Sequence, residues 1–113
     1  MFRVAIIGGE NLGNYRLFAE KCIHFLKNRA KEGITILSVG DKFVDIFAKA
    51  ANIDVKQYNA EWGKYGKNAL KTRINEMLRE CDAVIIFEDG TKETKYFWNK
   101  AIENNVPLRV VRD

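Results

Sequence analysis

"VIIFEDGTKETKYF", residues 84–97, carries an apolar run through Glu88-Asp89-Gly90-Thr91 and straight into a helical pattern. A buried strand that empties through a glycine turn into a helix is a common way of holding phosphate. The first N–H groups of the helix lack intrahelical partners, and its dipole favours negative charge there. Here the turn carries two acids, which repel phosphate. The fold follows from the strand–turn–helix reading; the function depends on how that conflict is resolved.

Outward from this stretch the same unit recurs. Apolar runs rich in Val and Ile stand at Phe2–Ile7, Ile34–Ser38, Val55–Tyr58, Ala83–Phe87 and Leu108–Val111. Most lack strict alternation, so they read as strands covered on both faces. Helical patterns separate them. The first spans about 14–31, with Phe18, Ala19, Cys22, Phe25 and Leu26 on one stripe and Gly33 stopping it. Asp41 can cap the second, whose apolar face is Phe43, Val44, Phe47 and Ala51. The third runs from about 67 to 80 with Leu70, Ile74, Met77 and Leu78 inward, and the fourth follows Gly90 with Phe97, Trp98, Ala101 and Ile102 inward. Pro107 opens the last strand, where a missing N–H costs little. Strand–helix alternation throughout predicts an α/β domain: a three-layer doubly wound sheet of five parallel strands in the order 3-2-1-4-5, with right-handed crossovers. The 113 residues fit a single domain, and "NAEWGKYGKNAL" is the one long irregular piece.

Nineteen basic and fifteen acidic residues leave a net charge of +4, scattered without a block of one sign. This is a solvated surface with a slight bias towards an anionic partner. No run is long enough to cross a membrane, and "FRVAIIGG" is too short for a signal peptide. Cys22 and Cys81 lack metal spacing and are expected to be small core hydrophobes; with no export signal, a reducing cytoplasm is the simplest home. His24, Leu17 and Tyr96 point outward by helical angle. There is no nucleophile–base pair, no metal cluster, and nothing calls for a cofactor.

Ligands of such sheets bind beyond the carboxyl ends of the strands, where strand order reverses. Three turns reach that edge: Gly8-Gly9-Glu10-Asn11, Ser38-Val39-Gly40-Asp41 and Glu88-Asp89-Gly90-Thr91. Glycine lets backbone N–H groups approach a ligand, but Gly and Asp also serve simply to turn and cap. Other residues divide in the same way. Arg73 can bind phosphate bidentately or form a salt bridge. Thr91 and Thr94 can donate to a phosphate, or Thr91 can be a plain N-cap for the backbone of Thr94. Trp62 and Tyr65, with Lys64 and Lys67, can stack on a base and meet its phosphate, or on single-stranded nucleic acid, or Trp62 can pack its loop onto the sheet.

The order of motifs resembles the YspA-like branch of the SLOG superfamily, Rossmann-like relatives of the lonely-guy phosphoribohydrolases and of DNA-processing protein A. The resemblance covers nearly the whole chain. Its most specific part is Glu61-Trp62-Gly63-Lys64-Tyr65-Gly66-Lys67, followed by Arg73, Glu76 and Met77; Asp89-Gly90, Thr94-Lys95 and the ending "NNVPLRVV" also fit. It implies a Rossmann-like domain that binds a nucleotide or nucleotide-derived ligand. The departures fall on the phosphate-binding parts. The family's Arg-Asp after the first glycines is Glu10-Asn11, its glycine-rich second loop is shortened to Val39-Gly40-Asp41, its Asn after the third-helix Arg is Ile74, and the glycine of its closing Gly-Thr is Glu93.

The expected ligand-binding set is therefore Gly8, Gly9, Asn11, Ser38, Gly40, Asp41, Trp62, Tyr65, Lys67, Arg73, Asp89, Gly90, Thr91 and Thr94. A binding module for a nucleotide-derived small molecule ranks first, with nucleic acid a lesser expectation. An oligomeric interaction protein whose pocket is lost ranks second. An N-glycosidase or phosphoribohydrolase using Glu93 or Glu88 as acid or base ranks third. Carboxylates at this edge suit ribose or base hydroxyl and amino groups better than phosphate.

Overall fold

The computed structural model describes residues 1–8, 13–58 and 69–112. Strands β1 (Phe2–Gly8), β2 (Ile34–Ser38), β3 (Asp54–Gln57), β4 (Ala83–Phe87) and β5 (Leu108–Val111) alternate with helices α1 (Tyr15–Leu26), α2 (Lys42–Ala50), α3 (Ala69–Glu80) and α4 (Lys92–Glu103). The strands form one sheet in the order β3-β2-β1-β4-β5, and every pairing is parallel. This is the expected Rossmann-like topology. The order reverses at β1, whose end pairs Gly8 with Phe87 of β4.

Alternate side chains of one strand serve two cores. Val4 and Ile6 of β1 pack with Phe18, Cys22 and Leu26 of α1 and with Val44, Phe47 and Ala48 of α2. Ala5 and Ile7 pack with Ile74, Met77 and Leu78 of α3 and with Phe97 and Ala101 of α4. The uninterrupted apolar run of β1 follows from this double burial. Beneath the carboxyl ends, Tyr15, Phe18, Phe43, Phe47 and Phe87 make an aromatic cluster in which the Phe18 and Phe87 rings lie 4.4 Å apart.

Four details differ from the sequence expectation. The first helix ends at Leu26 and tightens into a 3-10 turn over Lys27–Glu32 before Gly33, which adopts φ +78. Ala51 is the exposed C-cap of α2, and Ala48 takes the buried place instead. Ile102 does not face inward: it is 56% exposed, and the neighbouring Ala101 takes the buried place in α4. Tyr96 and Leu17, placed outward by angle, are half-buried. Tyr96 leans on the α3–α4 core and donates from its hydroxyl to Asn75. His24 is exposed, as expected. Burial pushes the Cys22 thiol up to about 12 and that of Cys81 to about 11, so both are protonated at neutral pH and packed as small apolar groups.

Candidate functional site

The carboxyl ends of β1, β2 and β4 each leave the sheet near a glycine of positive φ: Gly8 at +88, Gly40 at +98 and Gly90 at +81. Gly8 has a second reason to be glycine. A Cβ there would collide with the carbonyl oxygen of Phe87 on the neighbouring strand. The backbones of β1 and β4 thus come as close at the switch point as a side chain-free residue allows.

At each junction a carboxylate already accepts from the backbone. The Gly8 N–H donates to Asp41 Oδ2 at 2.9 Å, tying the end of β1 to the start of α2. The Gly90 N–H donates to Glu88 Oε1 at 2.6 Å. Asp89 Oδ1 accepts from the Thr91 N–H at 3.0 Å, from the Thr91 hydroxyl at 2.7 Å and from the Thr94 hydroxyl at 3.0 Å. Thr91 caps α4 by accepting from the Thr94 N–H at 3.3 Å. Asp89 therefore sits where a phosphate would sit in a strand–glycine–helix turn that holds one.

Magnitudes decide the conflict posed by that turn. A helix N-terminus stabilises an anion by about 0.3–1 kcal/mol at an exposed site. A second negative charge about 4 Å from a carboxylate costs about 4 kcal/mol at the effective dielectric of a protein surface. With Asp89 and Glu88 in place, a phosphate on α4 is disfavoured. A hydroxyl or amino group is not, because carboxylates accept from both.

The predicted residues sort as follows. Gly8 and Asp41 meet directly. Glu88, Asp89, Gly90, Thr91 and Thr94 form one hydrogen-bonded knot, with Thr94 buried. Ser38 is fully buried rather than presented to a ligand. Its Oγ donates to Asp45 Oδ1 at 3.0 Å and accepts from the Gly40 N–H at 3.0 Å. Asp41 occupies the N-cap position of α2 without a capping hydrogen bond from its side chain to that helix; its carboxylate instead accepts across the rim from Gly8 of β1. Arg73 forms a 2.7 Å pair with Glu76 and is one-fifth exposed. Glu93 projects into solvent from the first turn of α4. Gly9, Asn11, Trp62, Tyr65 and Lys67 lie outside the described residues.

Two groups at this rim escaped the sequence reading. Asp45 Oδ1 also accepts from the Gln57 side chain at 2.9 Å, so one carboxylate joins β2, α2 and β3. Its signal was its place in the first turn of α2, four residues after Asp41. At the end of β3 the buried Tyr58 donates from its hydroxyl to Glu80, which also pairs with Lys56 at 2.6 Å. The hydrogen bonds from Lys56 and then Tyr58 hold the Glu80 carboxyl below its ordinary value, and Glu80 in turn holds Lys56 above its own. Among the described residues no buried side-chain polar atom lacks a partner, no three His, Cys, Asp or Glu side chains gather as a metal site, and no helix is long and apolar enough to cross a membrane.

No family model matches the chain, and no curated protein matches it. Among solved structures it is similar to the X-ray structure of TM1055, a Northeast Structural Genomics Consortium target. The two are 18% identical with a TM-score of 0.68, over 96% of this chain and 72% of that one. At this identity what they share is the Rossmann-like fold.

Proposed function

We propose that this Rossmann-like domain is a binding module for a nucleotide-derived small molecule and belongs to the YspA-like branch of the SLOG superfamily. The ligand is held at the carboxyl rim through ribose hydroxyls and base edges rather than through a phosphate seated on α4. The observation that carries this reading is the set of carboxylates at the switch point, Asp41, Glu88 and Asp89, beside glycines that keep the backbone open. Trp62 or Tyr65 would cover the base, and Arg73 would exchange its half of the Glu76 pair for any phosphate lying towards α3.

A thermal-shift panel of nucleosides, nucleoside monophosphates, cyclic nucleotides and ADP-ribose tests it. A ligand at a hundred times its dissociation constant adds about 2.7 kcal/mol to stability. The expected result is a rise in Tm with a ribose-bearing compound, retained when the phosphate is removed and lost in Asp89→Asn.

One observation favours a second reading, an interaction protein whose pocket is lost: the N–H groups of Gly8, Gly90 and Thr91 already have acceptors within the chain. No shift with any compound at millimolar concentration would select it.

A further inference from the structure

The opposite end of the sheet holds a cleft of about 150 Å³, open on one side, at the starts of β1, β4 and β5 beneath the last turn of α1. Strands of this length place it about 20 Å from the carboxyl rim. Its floor is apolar, with Phe2, Val4, Leu26 and Ile85, and its rim carries Arg29 and Arg109. Among the described residues no acidic side chain lines it. Among the described residues Arg109 meets no carboxylate; its Nη1 donates to the carbonyl oxygen of Leu108 in its own strand. Arg29 lies over the Phe2 ring at 4.6 Å and pairs with Glu32 at 3.1 Å, a half-exposed bond of the kind that contributes little and re-partners readily. Each guanidinium keeps further N–H donors beyond those bonds.

The volume selects the size of the occupant and the charge selects its polarity. An apolar cavity of this volume holds one six-membered ring. Cations on the rim, with no acid among the described lining residues, call for an anionic head. We propose that this cleft binds a small aryl carboxylate, its ring on Val4, Leu26 and Ile85 and its carboxylate between Arg29 and Arg109. The site is independent of the carboxyl rim, so the two readings stand or fall separately.

Benzoate is the probe, benzyl alcohol and inorganic phosphate are the controls, and backbone amide chemical shifts are the readout. Benzoate is expected to move the amides of Phe2, Leu26, Ile85 and Arg109 with a dissociation constant on the order of 1 mM. Arg109→Met should weaken it about tenfold, since one charge-assisted contact is lost. Ala83 also lines the cleft, so Ala83→Leu, which fills it, should abolish binding. Arg109 is exposed, so its variant is expected to fold and keeps the test decisive should Ala83→Leu not fold. Any of four results overturns the proposal. They are absence of shifts at those amides, equal binding of benzyl alcohol, equal binding of phosphate, and concentration-dependent shifts of the same amides without ligand, which would mean that a second copy covers the cleft.

Discussion

The junctions after β2 and after β4 are built from the same parts, a glycine of positive φ, an aspartate and a helix start, yet the two aspartates do different work. Among the described residues Asp89 accepts from Thr91 and Thr94, within five residues of itself. Asp41 reaches Gly8, thirty-three residues away in sequence. The first closes a local turn; the second fastens two strand ends together across the switch point. A local knot can form as soon as its own segment does, whereas the long-range tie exists only when β1, β2 and α2 are assembled. The β4 junction is thus part of helix α4, and the β2 junction is part of the sheet.

Substitutions can break this contrast. The largest effect is expected at Gly8, where both junctions depend on the β1–β4 approach. Gly8→Ala must strain a backbone at φ +88 and displace the Phe87 carbonyl. It should cost about 3 kcal/mol or more in urea unfolding, with loss of exchange protection along β1 and β4 together. Asp89→Ala comes next, at about 2 kcal/mol, because three donors lose one acceptor and α4 loses its cap support. Its amide exchange should rise at the start of α4 and nowhere on β1. Asp41→Ala should cost about 1 kcal/mol, the net contribution of one part-buried hydrogen bond, but it should loosen β1 as well as α2. Should Asp41→Ala affect only α2, the cross-rim tie has no energetic weight and the contrast fails.

The smallest effect concerns the pair beyond the rim. The Glu80 carboxyl titrates below its ordinary value, so its contribution is present above the unfolded-state value and is lost as pH falls through the lowered one. Lys56 titrates above its ordinary value, so its contribution is present at neutral pH and is lost as pH rises past that value. Both side chains are about half-exposed. Glu80→Gln should therefore lower the thermal midpoint at pH 7 by about 2 °C or less and flatten its fall on acidification. A drop as large as that of Asp89→Ala would mean that the end of β3 carries as much as the β4 junction.

The sheet order was legible because its signal is local and redundant. The runs of β1, β2 and β4 are apolar on both faces, and between the strands Phe18 and Cys22, Ile74 and Met77, or Phe97 and Ala101 mark the buried stripe of a helix. What failed was the reading of stripe edges. Tyr96 and Ile102 lie near the margins of α4; Tyr96 is half-buried where α3 supplies Asn75, while Ile102 is left exposed. The candidate site divides along the same line. The Thr91 cap and its bond to Thr94 could be read from spacing alone. The destination of the Asp41 carboxylate, the burial of Ser38 and the bridging role of Asp45 could not, because each is settled by a partner on another strand or helix.

The position of β1 at the centre of the sheet has a consequence for synthesis. Of the five strands it is made first, and β2, α2 and β3 can assemble on one side of it while β4 has not yet been made. Until residue 87 has emerged, Ile6 and Ile7 sit on an open, apolar strand edge, the template on which nascent chains mispair. The interval between translation of the second half-sheet and its docking is when this protein is most exposed to aggregation, and substitutions that slow the docking of β4, above all at Gly8, should lower the yield of soluble chain more than their equilibrium cost implies.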